Sequence, residues 1–154
     1  WTLIFFLMLF GVAGTLQYTE VTNEIAGSLT SMLGDQTDIL VPAIMLISAM
    51  GSAFIDNVIF VAAFIPVVQE MVGAPGSVHP LWWALLFGAC FGGNITMIGS
   101  TANIVALGML EKRYRTKVTF LEWFRVGLGA GFVAGFVAWL ALMFTGPMML
   151  AGQG

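Results

Sequence analysis

From Ile39 to Val72 the chain runs for 34 residues in which only Asp56 and Glu70 are charged. As a single helix, at 1.5 Å per residue, this stretch would be a rod about 50 Å long. A hydrocarbon layer about 30 Å thick is crossed by roughly 20 residues, and two crossings with a turn need upwards of about 40. The segment is too long for one span and too short for two. A re-entrant helical hairpin over 39–72 is an economical solution. One arm enters from Ile39 to about Met50, the chain turns at Gly51–Asn57, and the second arm leaves from Val58 to Val72. Gly51, Ser52, Asp56 and Asn57 are turn and cap types, as a hairpin tip requires. Backbone outside a helix survives at that depth only when it is buried in protein or lines a wet cavity.

The tip raises a question of cost. An unpartnered carboxylate in such surroundings costs several kcal/mol at least. Two readings of Asp56 stand side by side. Asp56 or Asn57 caps the arm that begins at Val58, or Asp56 holds Na⁺ or carries a proton. An asparagine would cap one helix without the desolvation cost, which favours the second reading, and both can hold together.

Composition supports a membrane setting. Of 154 residues 59% are hydrophobic and 8% charged, and the mean hydropathy is +0.97. Soluble domains carry about 25% charged residues. The net charge of −3 and only five bases give no basic patch large enough for nucleic acid. Cys90 is the single cysteine, so it forms no internal disulfide and reads as a small packing residue. The chain begins at Trp1 inside an apolar run, without a basic leader, and is expected to be a fragment of a longer protein.

Further elements follow from pattern. Residues 1–17 form an apolar segment expected to be a transmembrane helix. Residues 19–34 are acidic, with Val21, Ile25, Leu29, Met32 and Leu33 on one stripe and Gly34 as a stop. This suits a helix lying in the membrane interface, or an exposed linker helix. Residues 80–113 read as a broken transmembrane helix: Leu81–Phe91, then "GGNITMIGSTAN" over 92–103, with helix resuming near Thr101. Residues 120–144 form a last spanning helix. Its Gly127, Gly131 and Gly135, and Ala130, Ala134 and Ala138, recur every four residues and suit close helix packing.

All five bases, Lys112, Arg113, Arg115, Lys117 and Arg125, fall in 112–125. The positive-inside rule places loop 111–119 in the cytoplasm. Both hairpin ends, the acidic helix and the C-terminus are then outside, and His79 is a solvated loop residue.

Two interrupted segments that meet inside a membrane point to a transporter site. The candidate ion- and substrate-binding residues are Ser52, Asp56, Asn57, Gly93, Asn94, Thr96, Ser100, Thr101 and Asn103. Unwound carbonyls and the oxygens of Ser52, Asp56, Asn57 and Asn94 suit Na⁺, with Thr96 beside them. Helix N-termini at the same place favour an anion. Asn94 and Asn103 also serve as structural turn residues in the alternative reading. An intramembrane aspartyl protease needs two facing aspartates, and only Asp56 lies at depth. A channel, or a structural membrane subunit without coupled transport, is the remaining alternative; a channel should show continuous polar faces rather than two breaks.

"SAFIDNVIFVAAFIPVV" (52–68), "WWALLFGACFGGNITMIGSTANIVALGMLEK" (82–112) and "FLEWFRVG" (120–127) together resemble the ion-transporter superfamily of arsenite permeases, NhaD-type sodium/proton antiporters, citrate transporters and the melanosomal P protein. The likeness covers about residues 1–145 and is closest to the P protein and ArsB-like branch. It implies an all-α integral membrane protein built of two inverted repeats, of which this chain is the C-terminal one. It implies elevator-type transport by a homodimer of the full-length protein, completed by an N-terminal half, in a lipid bilayer such as a prokaryotic inner membrane. It implies no enzyme activity and no cofactor beyond Na⁺ or H⁺ as coupling ion. In the dicarboxylate and sulfate branch the hairpin tip carries Ser-Asn-Thr. Here Ile55-Asp56-Asn57 stands in that place, which turns the expectation toward proton or Na⁺ coupling, or arsenite and other anions.

Overall fold

The computed structural model describes residues 3–4, 7–8, 11, 14–15, 18–34, 36–73, 79–115 and 117–151. The expected first spanning helix over 1–17 lies largely outside the described residues. Beyond it, six helices are described: α1 (Val21–Leu33), α2 (Thr37–Ser52), α3 (Asn57–Val72), α4 (Pro80–Gly92), α5 (Thr101–Tyr114) and α6 (Phe120–Ala151). No strand occurs among the described residues.

α4 is the centre. Leu81, Ala84, Leu85 and Ala89 along it are almost fully buried. It runs parallel to α2, and the two backbones touch. Gly88 lies on the Met45 carbonyl and Gly92 on the main chain of Ala49, where a Cβ on either glycine would overlap the neighbouring helix. Small residues every four positions permit this approach in a membrane, where van der Waals contact rather than water exclusion holds helices together.

α3 turns back beside them. Val68, near its end, shares one core with Leu40 and Val41 at the start of α2 and with Leu81 and Leu85 at the start of α4. The chain thus leaves that level along α2, turns over Ala53–Asp56 and returns along α3. The turn is shorter than the sequence suggests, because α2 continues through Gly51 and Ser52. Gly73 ends α3 with φ 69°, and its N–H bonds to the Gln69 carbonyl at 2.9 Å.

α6 runs antiparallel to α4 along its length. Gly127 and Gly131 lie against Asn94, Ile95 and Phe91, Gly135 against Met45, and Gly146 against Pro80. These glycines act in packing, while of the three alanines only Ala138 is buried. α6 is the one helix among the described residues long and apolar enough to cross a membrane; its 32 residues make about 48 Å. It extends past the expected end at 144, through Pro147. A proline removes one helix hydrogen bond, and membrane helices tolerate this when neighbours re-satisfy the backbone. Thr145 Oγ1 donates to the Ala141 carbonyl at 2.8 Å in the same turn.

α1 packs mainly on α3. Its buried face carries Thr22 and Ala26, continued by the half-buried Leu29 and Leu33. Val21, Ile25 and Met32 of the expected stripe are exposed instead. The protein-facing side is therefore rotated by about one residue, and much of the apolar stripe faces outward. α5 packs against no other described helix, and Asn103 is its one buried residue.

Candidate functional site

The turn between α2 and α3 and the break between α4 and α5 meet in one joint. α2 and α4 end there with their C-termini, and α3 and α5 begin there with their N-termini. Two kinds of residue build the joint.

The first kind is buried and ties main chain to main chain. Ser52 Oγ donates to the Ala89 carbonyl at 2.8 Å. Thr96 Oγ1 donates to the Ala53 carbonyl in a short hydrogen bond and accepts from the Gly99 N–H at 3.0 Å. Asn103 Nδ2 donates to the carbonyls of Gly93, at 3.0 Å, and Thr96, at 3.3 Å. Ser52, Thr96 and Asn103 are buried. They hold an irregular backbone in one shape, since each supplies the partner that a helix would have supplied. Carbonyl oxygens crowd this interior. A Cβ at Gly99 would stand 2.7, 2.8 and 2.9 Å from those of Gly93, Ser52 and Ala53.

The second kind lies on the accessible side. The Asp56 carboxylate divides its two oxygens between two helices. Oδ1 accepts from the Val58 N–H at 3.0 Å, capping α3. Oδ2 accepts from the Thr101 N–H at 3.0 Å and from Thr101 Oγ1 at 2.7 Å, reaching the first turn of α5. Ser100 is the N-cap of α5, and its Oγ accepts from the Ala102 N–H at 3.3 Å. Asp56, Asn57 and Ser100 are half-buried, and Asn94 and Thr101 are exposed. Asn94 Nδ2 donates to the Cys90 carbonyl at 3.1 Å, so this bond does not use its Oδ1.

All nine residues singled out from the sequence therefore fall at one joint. Ser52, Thr96 and Asn103 serve its interior with their side chains, and Gly93 contributes its carbonyl. Asp56, Asn57, Asn94, Ser100 and Thr101 line its open side. Sequence reasoning missed Trp123, whose indole N–H donates to the Asn94 carbonyl at 3.1 Å and ties the foot of α6 to the break. An interfacial tryptophan gives no hint of that partner in advance. His79 is half-buried rather than solvated. Its Nδ1 accepts from the Leu81 N–H at 3.3 Å at the start of α4, and burial holds its imidazole below the usual range.

The joint can offer a cation a carboxylate, neutral side-chain oxygens and unwound carbonyls, the donor set of a hard monovalent ion. Among the described residues no group of three or more His, Cys, Asp or Glu is disposed to hold a metal.

Comparison with known proteins agrees with a membrane permease. The profile of the citrate transporter family (CitMHS) matches residues 1–88. An uncharacterized transporter of Mycobacterium tuberculosis is 42% identical over 129 residues, covering 82% of this chain and 30% of that protein. The 46 kDa membrane protein of Mycobacterium leprae is 38% identical over 146 residues, covering 90% and 34%. The P protein of Homo sapiens is 36% identical over 136 residues, covering 82% and 16%. The chain spans about a third of the length of the two mycobacterial relatives, at 30% and 34%. With the family profile matched over more than half of its length, the chain belongs to the citrate transporter family.

Proposed function

We propose that this chain is the C-terminal half of a secondary active transporter and that the joint around Asp56 is where a coupling ion, Na⁺ or H⁺, is held. The observation that carries the reading is the Asp56 bridge. One acidic side chain links the two interruptions, so a change at that carboxylate is felt by the hairpin and by the broken helix together. That is the link a coupled transporter needs and a passive scaffold does not.

In this reading α2 and α3 enter and leave the bilayer on the outer face, and α4 enters beside them. The lengths of α2 and α4, 16 and 13 residues, correspond to about 20–24 Å of helix, which supports a joint past the middle of a layer about 30 Å thick. The basic stretch 112–117 is cytoplasmic. An N-terminal repeat covers the exposed apolar face of α5, which carries Ile104, Val105 and Met109. The full-length protein is a homodimer that works by an elevator motion, in which hairpin and broken helix move as one body.

Citrate appears in the family's description, but a tip that carries an acid and no base is better suited to a cation than to a tricarboxylate anion. The test is flux through the full-length protein in liposomes. A transporter should drive radiolabelled solute uphill when a Na⁺ or pH gradient is imposed. Mere equilibration, indifferent to either gradient, is the behaviour of a channel and contradicts this reading.

A further inference from the structure

Four helix ends meet at the joint: the C-termini of α2 and α4 and the N-termini of α3 and α5. Each N-terminus carries about half a positive charge and each C-terminus about half a negative one, so the four ends roughly cancel. What remains is the charge of Asp56. Among the described residues no base forms an ion pair with it. Arg125 lies between Trp123 and Gly127, which both meet Asn94 at the break, but is not paired with the carboxylate. The nearest base along α5 is Lys112, eleven residues beyond Thr101, which is about 16 Å of helix. His79 sits at the far end of α4.

Half-helix N-termini that face an interruption are ordinarily where a transporter holds the charge of an anionic solute. Here that place is already filled. The Val58 N–H, the Thr101 N–H and the Thr101 hydroxyl all donate to the same carboxylate. An incoming carboxylate would have to displace Asp56 from these donors and then lie beside its charge in a poorly screened setting. Resting on the transporter reading above, we propose that Asp56 is a tethered anion that occupies the anion place of this half of the protein. The half-site therefore refuses carboxylates and other anionic solutes and accepts a monovalent cation.

The consequence is that removing the side chain should create an anion site. The experiment measures thermal unfolding of the purified full-length protein in detergent, titrated with formate, acetate and citrate as salts of a bulky organic cation, and separately with Na⁺. The wild-type midpoint should show no saturable response to any carboxylate and a saturable rise with Na⁺. Asp56→Gly should unfold at a lower temperature and recover in a saturable way with formate, which fits the vacated position, more than with citrate. Where Asp56→Gly does not fold, Asp56→Ser, which keeps a cap for α3, should show the same gain of formate response. A saturable carboxylate response in the wild type, or a folded variant indifferent to formate, would overturn the proposal. Gradient-driven uptake of a carboxylate by the wild type would overturn it too, while leaving the transporter reading intact. Absence of any gradient-driven flux sinks that reading without altering the midpoint shifts.

Discussion

The Asp56 carboxylate accepts two hydrogen bonds from Thr101, one from its main-chain N–H at 3.0 Å and one from its hydroxyl at 2.7 Å. The two residues are 45 positions apart, and the contact closes the hairpin tip onto the second half of the broken helix. An ionised carboxylate only accepts, and it has room for donors from two directions. An asparagine at 56 can cap α3 with its oxygen but then turns an NH₂ toward the Thr101 donors. This gives a physical reason for an acid here that helix capping alone does not give.

That pairing predicts coupled energetics. Asp56→Asn and Thr101→Val should each destabilise the full-length protein, and the double variant should cost less than the two together. The expected coupling is about 1 kcal/mol, since a hydrogen bond to a charged group contributes about 1.5–3 kcal/mol and this one is partly exposed. Denaturant or thermal unfolding of the four proteins in detergent measures it. Strict additivity would mean that the contact carries no energy.

The contact of α2 with α4 predicts unequal glycines. Gly92→Ala should cost about 1–3 kcal/mol or prevent folding, because the new methyl group has to displace the main chain of Ala49. Gly129→Ala, inside α6 with nothing within 4 Å of its added Cβ, should be neutral or gain up to about 1 kcal/mol from helix propensity. Yield and unfolding midpoint of the two variants, compared side by side, check both signs.

Much of this arrangement was legible because it depends on short-range rules. The length of 39–72 dictates two arms, Gly34 and Gly73 sit where helices stop, and the run of glycine, asparagine and threonine after Phe91 marks the break. The directions of the side chains were not legible. Ser52 and Asp56 are four residues apart at one tip, yet Ser52 turns inward to the Ala89 carbonyl and Asp56 turns across to Thr101. That choice is set by the parallel packing of α2 on α4, a tertiary fact that no local pattern records. The same holds for α1, where docking on α3 selects Thr22 and Ala26 over the more apolar Val21 and Ile25. α6 runs past the expected end at 144 and through Pro147, because a membrane helix tolerates a proline where its neighbours re-satisfy the backbone.

His79 predicts an acid-sensitive start of α4. Its Nδ1 accepts the Leu81 N–H, so this hydrogen bond requires the neutral ring. Burial lowers its folded-state pKa, so the unfolded chain binds the proton more tightly than the folded one. Stability is then fully present above the ordinary value of about 6.5 and declines as pH falls through the lower folded value. His79→Asn keeps a cap acceptor without a titrating group and should flatten the dependence. Unfolding midpoints between about pH 7.5 and 5 test this, and an unchanged slope in the variant would place the sensitivity elsewhere.

The return of α3 to the level of α2 supports the proposed re-entrant topology, which thiol labelling tests. Single cysteines at Asp38 and Gly73, in a background with Cys90 replaced, should both react with an impermeant thiol reagent added outside intact cells. A cysteine at Lys117 should react only after permeabilisation. Labelling of positions 38 and 73 from opposite faces would make 39–72 a crossing and remove the re-entrant hairpin from the account.

Whether Asp56 binds the coupling ion is decided by transport through the purified full-length protein against imposed Na⁺ and pH gradients. Asp56→Asn should still fold, with at most a few kcal/mol of lost stability, but should no longer respond to either gradient. Asn57→Ala, which removes one neutral ligand, should weaken the apparent ion affinity and keep the gradient dependence. Asp56→Asn that transports at the wild-type rate, with unchanged dependence on both gradients, would contradict ion binding there and leave Asp56 as a cap that joins two helices.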